Sequence, residues 1–266
     1  MAISGSAIIL FFIVLAIIAP FLTHYSPTAT NLALRLLPPS PQHWLGTDDV
    51  GMDVFTRIAY GARVDLESSL IVVLSGGTIG TLLGLTAGWL GGWWDEILMR
   101  ITDMFLAFPS LILAMAISAV LTPNLTNALI AISVTYWPIY ARLARAQVLA
   151  VRKLEYIEAA RSVGMSQPRI LFRHILPNTF TPLLVEGTLD MGSVLLIAAG
   201  LSFIGFGAQP PTPEWGLMIA QGQNYLMTQW WVSTAPAIAI LLLVIGFNQL
   251  GDALRDILDP RLRWKR

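Results

Sequence analysis

The sequence predicts an all-α membrane protein with six transmembrane helices. Three observations carry that reading. Apolar residues make up 55% of the 266-residue chain and charged residues only 12%, where a soluble domain carries about 25%. The mean hydropathy is +0.68. The apolar residues also gather into runs long enough to cross a bilayer, whose hydrocarbon layer of about 30 Å takes about 20 helical residues. Sixteen basic and sixteen acidic residues cancel to zero formal charge, so no global field draws nucleic acid. With no cysteine, a disulfide, a thiolate nucleophile and a cysteine metal site are excluded.

The expected organisation has three parts. Residues 1–22 form a first transmembrane helix and 23–65 an extracytoplasmic segment. Residues 66–266 form a core of five transmembrane helices that holds a cytoplasmic segment at 146–178. The first span runs from Ile3 to Leu22 without a charge. No Lys or Arg precedes Arg35, so it lacks the basic n-region of a signal peptide and reads as a membrane helix.

The outer segment is rich in turn signals, among them Pro38-Pro39-Ser40-Pro41 and Leu45-Gly46-Thr47-Asp48-Asp49. Asp48, Asp49 and Asp53 gather near His43. They read as turn-forming aspartates, because no closed metal-ligand spacing accompanies them.

The second span, Leu66–Leu90, carries Gly76, Gly80, Gly84 and Gly88 at four-residue spacing, with Gly92 continuing the period. Glycine at that spacing clears one helix stripe, so another backbone can approach. The approaching helix belongs either to this chain or to a partner.

The third span covers Ile97–Leu121, with Asp103 within pairing reach of Arg100. The fourth covers Leu125–Leu143. The fifth, Phe180–Ile204, places Glu186 and Asp190 four residues apart on one face. A carboxylate at that depth needs water or a partner, so the pair is a candidate lining for a substrate path. The sixth span is Val232–Leu250, entered past Trp230 and Trp231 at the expected interface.

Orientation follows from the basic residues. Arg142, Arg145, Arg152, Lys153, Arg161, Arg169 and Arg173 join spans four and five. Arg100 and the tail residues Arg255, Arg261, Arg263, Lys265 and Arg266 share that side, leaving Arg35, Arg57 and Arg63 opposite. Both termini and the 142–178 segment are therefore expected in the cytoplasm.

The most informative stretch is Glu155–Asn178. Its physical reading is a short helix through Glu158-Ala159-Ala160-Arg161-Ser162-Val163, a turn at Gly164, and a second helix capped by Ser166 with Pro168 in its first turn. Pro177 is expected to break that helix before span five. The small Ala159–Ala160 face suits docking into another protein's groove, and a solvated linker is the other reading.

Glu158-Ala159-Ala160, three further residues, Gly164 and then Leu176-Pro177 resemble the EAA motif of binding-protein-dependent ABC importer permeases. Trp44-Leu45-Gly46-Thr47-Asp48, Phe108-Pro109, Leu201-Ser202-Phe203-Ile204-Gly205-Phe206-Gly207, Pro213-Glu214-Trp215-Gly216 and Gly251-Asp252-Ala253-Leu254-Arg255-Asp256 are similar to the peptide/nickel branch, in its second ("C") permease. Met52 departs from that pattern where arginine is usual, and Asp65 where serine is common.

The resemblance implies a type I ABC importer permease fold in a bacterial or archaeal cytoplasmic membrane. It implies a second homologous permease, two ABC ATPase subunits and an extracytoplasmic substrate-binding protein as partners, besides the lipid bilayer and without nucleic acid. Glu158, Ala159, Ala160, Arg161, Ser162 and Gly164 would form the coupling helix that docks on the ATPase. Di- or oligopeptides are the expected substrate, with nickel or a metal chelate as the alternative.

The chain itself is expected to be non-catalytic and to carry no cofactor, with ATP and magnesium on the partners. Its two lysines, Lys153 and Lys265, follow Arg152 and Trp264, so neither belongs to a P-loop. H-E-x-x-H and G-x-S-x-G are absent from the sequence. A secondary transporter driven by an ion gradient through Glu186 and Asp190 is the reading from another class.

Overall fold

Asp53 stands just ahead of the longest helical stretch. Its carboxylate accepts the Thr56 N–H at 2.7 Å, which satisfies a backbone donor that a helix start leaves unpaired. In the computed structural model, which describes residues 2–258, the helix that follows runs unbroken for 37 residues. It begins well ahead of the expected Leu66.

The helices are α1 (Ala2–Leu22), α2 (Val54–Leu90), α3 (Gly92–Leu106), α4 (Ser110–Val120), α5 (Leu125–Val151), α6 (Glu155–Ser162), α7 (Gln167–Ile170), α8 (Leu176–Phe203), α9 (Trp215–Gly222) and α10 (Trp231–Leu258). Arg261, Arg263, Lys265 and Arg266, used above for orientation, lie outside the described residues.

α1, α2, the run from α7 through α8, and α10 are each long and apolar enough to cross a membrane. α3 and α4 qualify only as a pair, bent by 89°. The expected continuous third span is thus two helices. Pro109 lacks an N–H and disfavours helical geometry at Phe108, and it stands as the cap of α4 with ψ at 129°.

α5 covers the fourth expected span at 27 residues, about 40 Å by the helical rise. It is more polar than its neighbours because much of it is buried inside protein. Thr135, Tyr136 and Tyr140 face other helices rather than lipid.

The run into α8 corrects a second expectation. Pro177 does not end a helix. Residues Leu171–Ile175 form a π turn, in which the Leu176 N–H reaches the Leu171 carbonyl. The widened turn accommodates the proline that follows, whose missing donor falls in the first turn of α8. The chain therefore stays helical from Gln167 to Phe203.

Packing is close where side chains are small. α1 lies on α10, with Gly5 against Gly246 and Gln249 and the Ser4 hydroxyl donating to Gln249 at 2.7 Å. α9 packs on α8 and α10 and reaches α1 and α2 through Trp215, which is fully buried. Its ring meets Phe12 at 5.4 Å between centroids, and its indole N–H donates to the Ile58 carbonyl at 3.1 Å.

Candidate functional site

The segment that resembles a docking motif is a helix on a platform. α6 ends in a Schellman arrangement: the Gly164 N–H reaches the Arg161 carbonyl and the Met165 N–H reaches the Ala160 carbonyl. Gly164 adopts φ +77°, the left-handed geometry that glycine takes without strain. Ser166 holds the extended cap geometry of α7, although its side chain makes no cap bond.

The faces of α6 differ from the expected small patch. Ile157 and Ala160 turn inward, onto Leu85, Val148, Ile170 and Ile175. Glu158, Ala159, Arg161 and Ser162 point outward and are exposed. Ala160 thus belongs to the platform and Ala159 to the free face.

Two cations fasten the platform to the C-terminal end of α2. The Arg161 guanidinium stacks over Trp89 at 4.6 Å, and Arg152 donates to the Gly88 carbonyl at 2.8 Å.

The glycine stripe of α2 meets α5 of the same chain. An added Cβ at Gly80 would enter the Trp137 carbonyl oxygen, and one at Gly84 the Ala141 carbonyl oxygen. At Gly88 it would lie 2.9 Å from Val148 Cβ, and at Gly76 3.2 Å from Tyr136 Cβ. Gly92 does not continue the stripe, because α2 stops at Leu90 and Gly91 and Gly92 turn the chain with φ of +66° and +60°.

α3 is fastened to α5 by charge. Asp95 receives both the Nε and an Nη of Arg145, at 2.5 and 2.7 Å, and Arg142 donates to Asp103. Asp103 therefore pairs across helices and not with Arg100, which binds Glu96 one turn back at 2.7 Å.

In the bundle interior Asp190 is buried at 7% exposure and faces Tyr140 and Tyr136 of α5. Neither Asp190 Oδ2 nor the Tyr140 hydroxyl reaches hydrogen-bonding geometry. Glu186, one turn along, is half-buried. Between α2 and α8 lies a cavity of about 530 Å³, walled by Val73, Gly77, Tyr140, Leu183, Gly187 and Met191 among others. Tyr140 connects the two features, since Asp190 sits behind the wall rather than on it.

Asp48 and Asp53 have structural partners, whereas Asp49 Oδ1 is buried without one. Asp53 accepts from His43 Nδ1 at 2.9 Å as well as capping α2. Asp48 accepts the Val50 and Met52 N–H groups and lies 3.7 Å from Arg57 Nε. Burial pushes the Asp48 carboxyl above its ordinary range, opposed by those backbone bonds and by Arg57. Among the described residues no group of three His, Asp or Glu side chains is arranged to hold a metal.

Other site features gave no signal in sequence. Arg57 is fully buried. It donates to Met52 Sδ at 2.7 Å and to Gln221 and the Thr212 carbonyl, tying the outer segment to α9. Glu214 caps α9 by accepting the Gly216 and Leu217 N–H groups at 3.0 and 2.7 Å. Burial raises the Glu214 carboxyl, while those donors, Ser202 and Asp65 pull it back. Their partners come from distant parts of the chain, so only the Pro213-Glu214-Trp215-Gly216 run itself stood out in sequence.

Comparison with known proteins follows the same lines. Residues 80–264 match the family described as binding-protein-dependent transport system inner membrane component. Residues 1–39 match the N-terminal TM domain of oligopeptide transport permease C. The chain is similar to the probable D,D-dipeptide transport system permease protein of Escherichia coli (strain K12), at 46% identity over all of this chain and 89% of the relative. It is 48% identical to the dipeptide transport system permease protein of Alkalihalophilus pseudofirmus, over 99% of this chain and 86% of that one.

The fold matches that of a solved amino acid ABC transporter with histidines, at a TM-score of 0.57 and 17% identity, over 76% of this chain and 94% of that one. This is the type I importer permease fold. By its family match and its full-length relatives, the chain belongs to the binding-protein-dependent transport system inner membrane components and is a non-catalytic permease subunit of an ABC importer.

Proposed function

We propose that this permease carries di- or oligopeptides inward across the cytoplasmic membrane, with α6 as the element that receives force from an ATPase. The exposed face of α6 carries the proposal: Glu158, Ala159, Arg161 and Ser162 are presented outward while Ile157 and Ala160 lock the helix onto α2, α5 and the α7–α8 run. A helix so mounted passes a push directly to the inner ends of the bundle. The names of the relatives, dipeptide and glutathione transport permeases, support a short peptide as the cargo.

In this reading a second, homologous permease completes the pathway, two ATPases hold ATP and magnesium, and an outer binding protein delivers the peptide. The basic residues between α5 and α8 support a cytoplasmic side there, with both termini on it. In this reading Tyr140 of the cavity wall separates the path from Asp190, which lies behind it.

The test is peptide uptake by proteoliposomes holding the full complex and its binding protein. Glu158→Lys is expected to abolish ATP-dependent uptake while the complex still inserts. A cysteine at Ser162 is expected to react only from the cytoplasmic side. Normal uptake by Glu158→Lys, or labelling of that cysteine from outside, overturns the coupling role.

A further inference from the structure

An ion pair stands on the same face of α2 that walls the cavity. Leu70, Leu74, Gly77, Thr78 and Thr81 line that wall, at spacings of three and four residues that keep them on one helix face. Glu67 comes three residues before Leu70, and Arg63 four before Glu67. Both therefore share the face, within about 10 Å of rise from Leu70 toward Val54.

The Arg63 and Glu67 side chains are 70% and 58% exposed, although α2 is long and apolar enough to cross a membrane. Charged side chains on such a helix turn to a water-filled space or a partner rather than to lipid. The cavity lined by their own face offers that space.

Arg63 Nε donates to Glu67 Oε1 at 2.7 Å. This is the only side-chain hydrogen bond of either residue among the described residues, so both Arg63 Nη groups and Glu67 Oε2 keep unused capacity. As a unit the pair is neutral, and a lone ion gains little from it. A ligand carrying both signs gains twice. The guanidinium forks onto a carboxylate, and the second oxygen of Glu67 accepts from an ammonium.

We infer that Arg63 and Glu67 form a binding subsite for the charged ends of a peptide at the mouth of the α2–α8 cavity, Arg63 taking the carboxylate and Glu67 the ammonium. The largely apolar wall beyond Leu70 receives the side chains of the same ligand. This subsite deepens the proposed function and rests on a short peptide being the cargo.

The test uses the assembled transporter in proteoliposomes, with binding protein titrated to saturation and a defined mixture of di- to pentapeptides whose uptake is read by mass spectrometry. Arg63→Gln and Glu67→Gln should each lower peptide uptake about tenfold, the size of one lost charged hydrogen bond. Both complexes should assemble and melt near the wild type, because an exposed pair holds little of the fold. A carried peptide remade with photoleucine should, on illumination, label α2 between Arg63 and Thr81 in the wild type and about tenfold less in either variant.

Wild-type peptide uptake matched by both variants would overturn the subsite and leave the cargo reading standing. So would photolabel confined to other segments, or a loss of uptake that vanishes at saturating binding protein, which marks a docking contact. Loss of the second permease from the purified variants would overturn it too, as the mark of a contact between subunits. A wild type that takes up no member of the mixture overturns the cargo reading and the subsite with it.

Discussion

Gly84 of α2 rests directly on the Ala141 backbone of α5, with no space for even a methyl group between them. The prediction concerns size. Gly84→Leu should lower the thermal midpoint of the purified complex, since overpacking a tight contact costs about 1–3 kcal/mol. Gly77→Ala is the control, because its Cβ would meet only the Tyr140 ring at 3.4 Å. It should be neutral or slightly stabilising, as alanine favours a helix over glycine by about 1 kcal/mol. Differential scanning fluorimetry separates the two.

Ala159 and Ala160 are neighbours with opposite fates. Ala160→Leu should force open the contact with Ile157 and Ile170 and lower stability. Ala159→Leu should leave the melting curve unchanged and reduce stimulated ATP hydrolysis in the reconstituted complex. Gly164→Pro should also uncouple hydrolysis from uptake, because proline locks φ near −65° where the chain needs +77°. Equal effects of the two alanine changes on both readouts would contradict the two-faced arrangement.

The Asp95–Arg145 pair is bidentate and only 15% and 33% exposed on its two side chains. Asp95→Asn should destabilise by about 1.5–3 kcal/mol, the range for a hydrogen bond to a charged group. Glu67→Gln, which removes the exposed partner of Arg63, should leave the midpoint nearly unchanged. Denaturation midpoints in matched detergent check the contrast.

Arg57→Ala leaves Asp48 buried without its cation. Removal of one partner from a buried pair costs about 3–5 kcal/mol. The double variant Arg57→Ala with Asp48→Asn should recover part of that loss, because the uncompensated charge is gone. A double-mutant cycle on thermal midpoints measures the coupling.

The sequence made the local turns readable and left the long-range pairings hidden. Gly164 announced its helix end because a left-handed cap has a distinctive residue and a fixed offset. The glycine period announced a close contact, but a period names no partner, and only the fold assigns the stripe to α5. Pro109 and Pro177 look alike in sequence and act differently. Pro109 stands at an 89° bend, whereas a π turn absorbs Pro177 within a continuous helix.

Asp103 found Arg142 rather than the nearer Arg100, because helix packing brought a second cation to it. The bond from the Trp215 N–H to Asp65 was unreadable, since nothing local links residues so far apart in the chain.

The seamless join of α2 to α5 governs how this subunit is able to move. Two rods without clearance cannot slide past one another, so in the proposed coupling a push at α6 would swing them together as one slab. The compliance has to reside elsewhere, and the over-wide turn at Leu171–Ile175 is where the backbone ladder is already loosened. In the proposed coupling, that turn would be the hinge pin between the slab and the long rod that ends at Phe203.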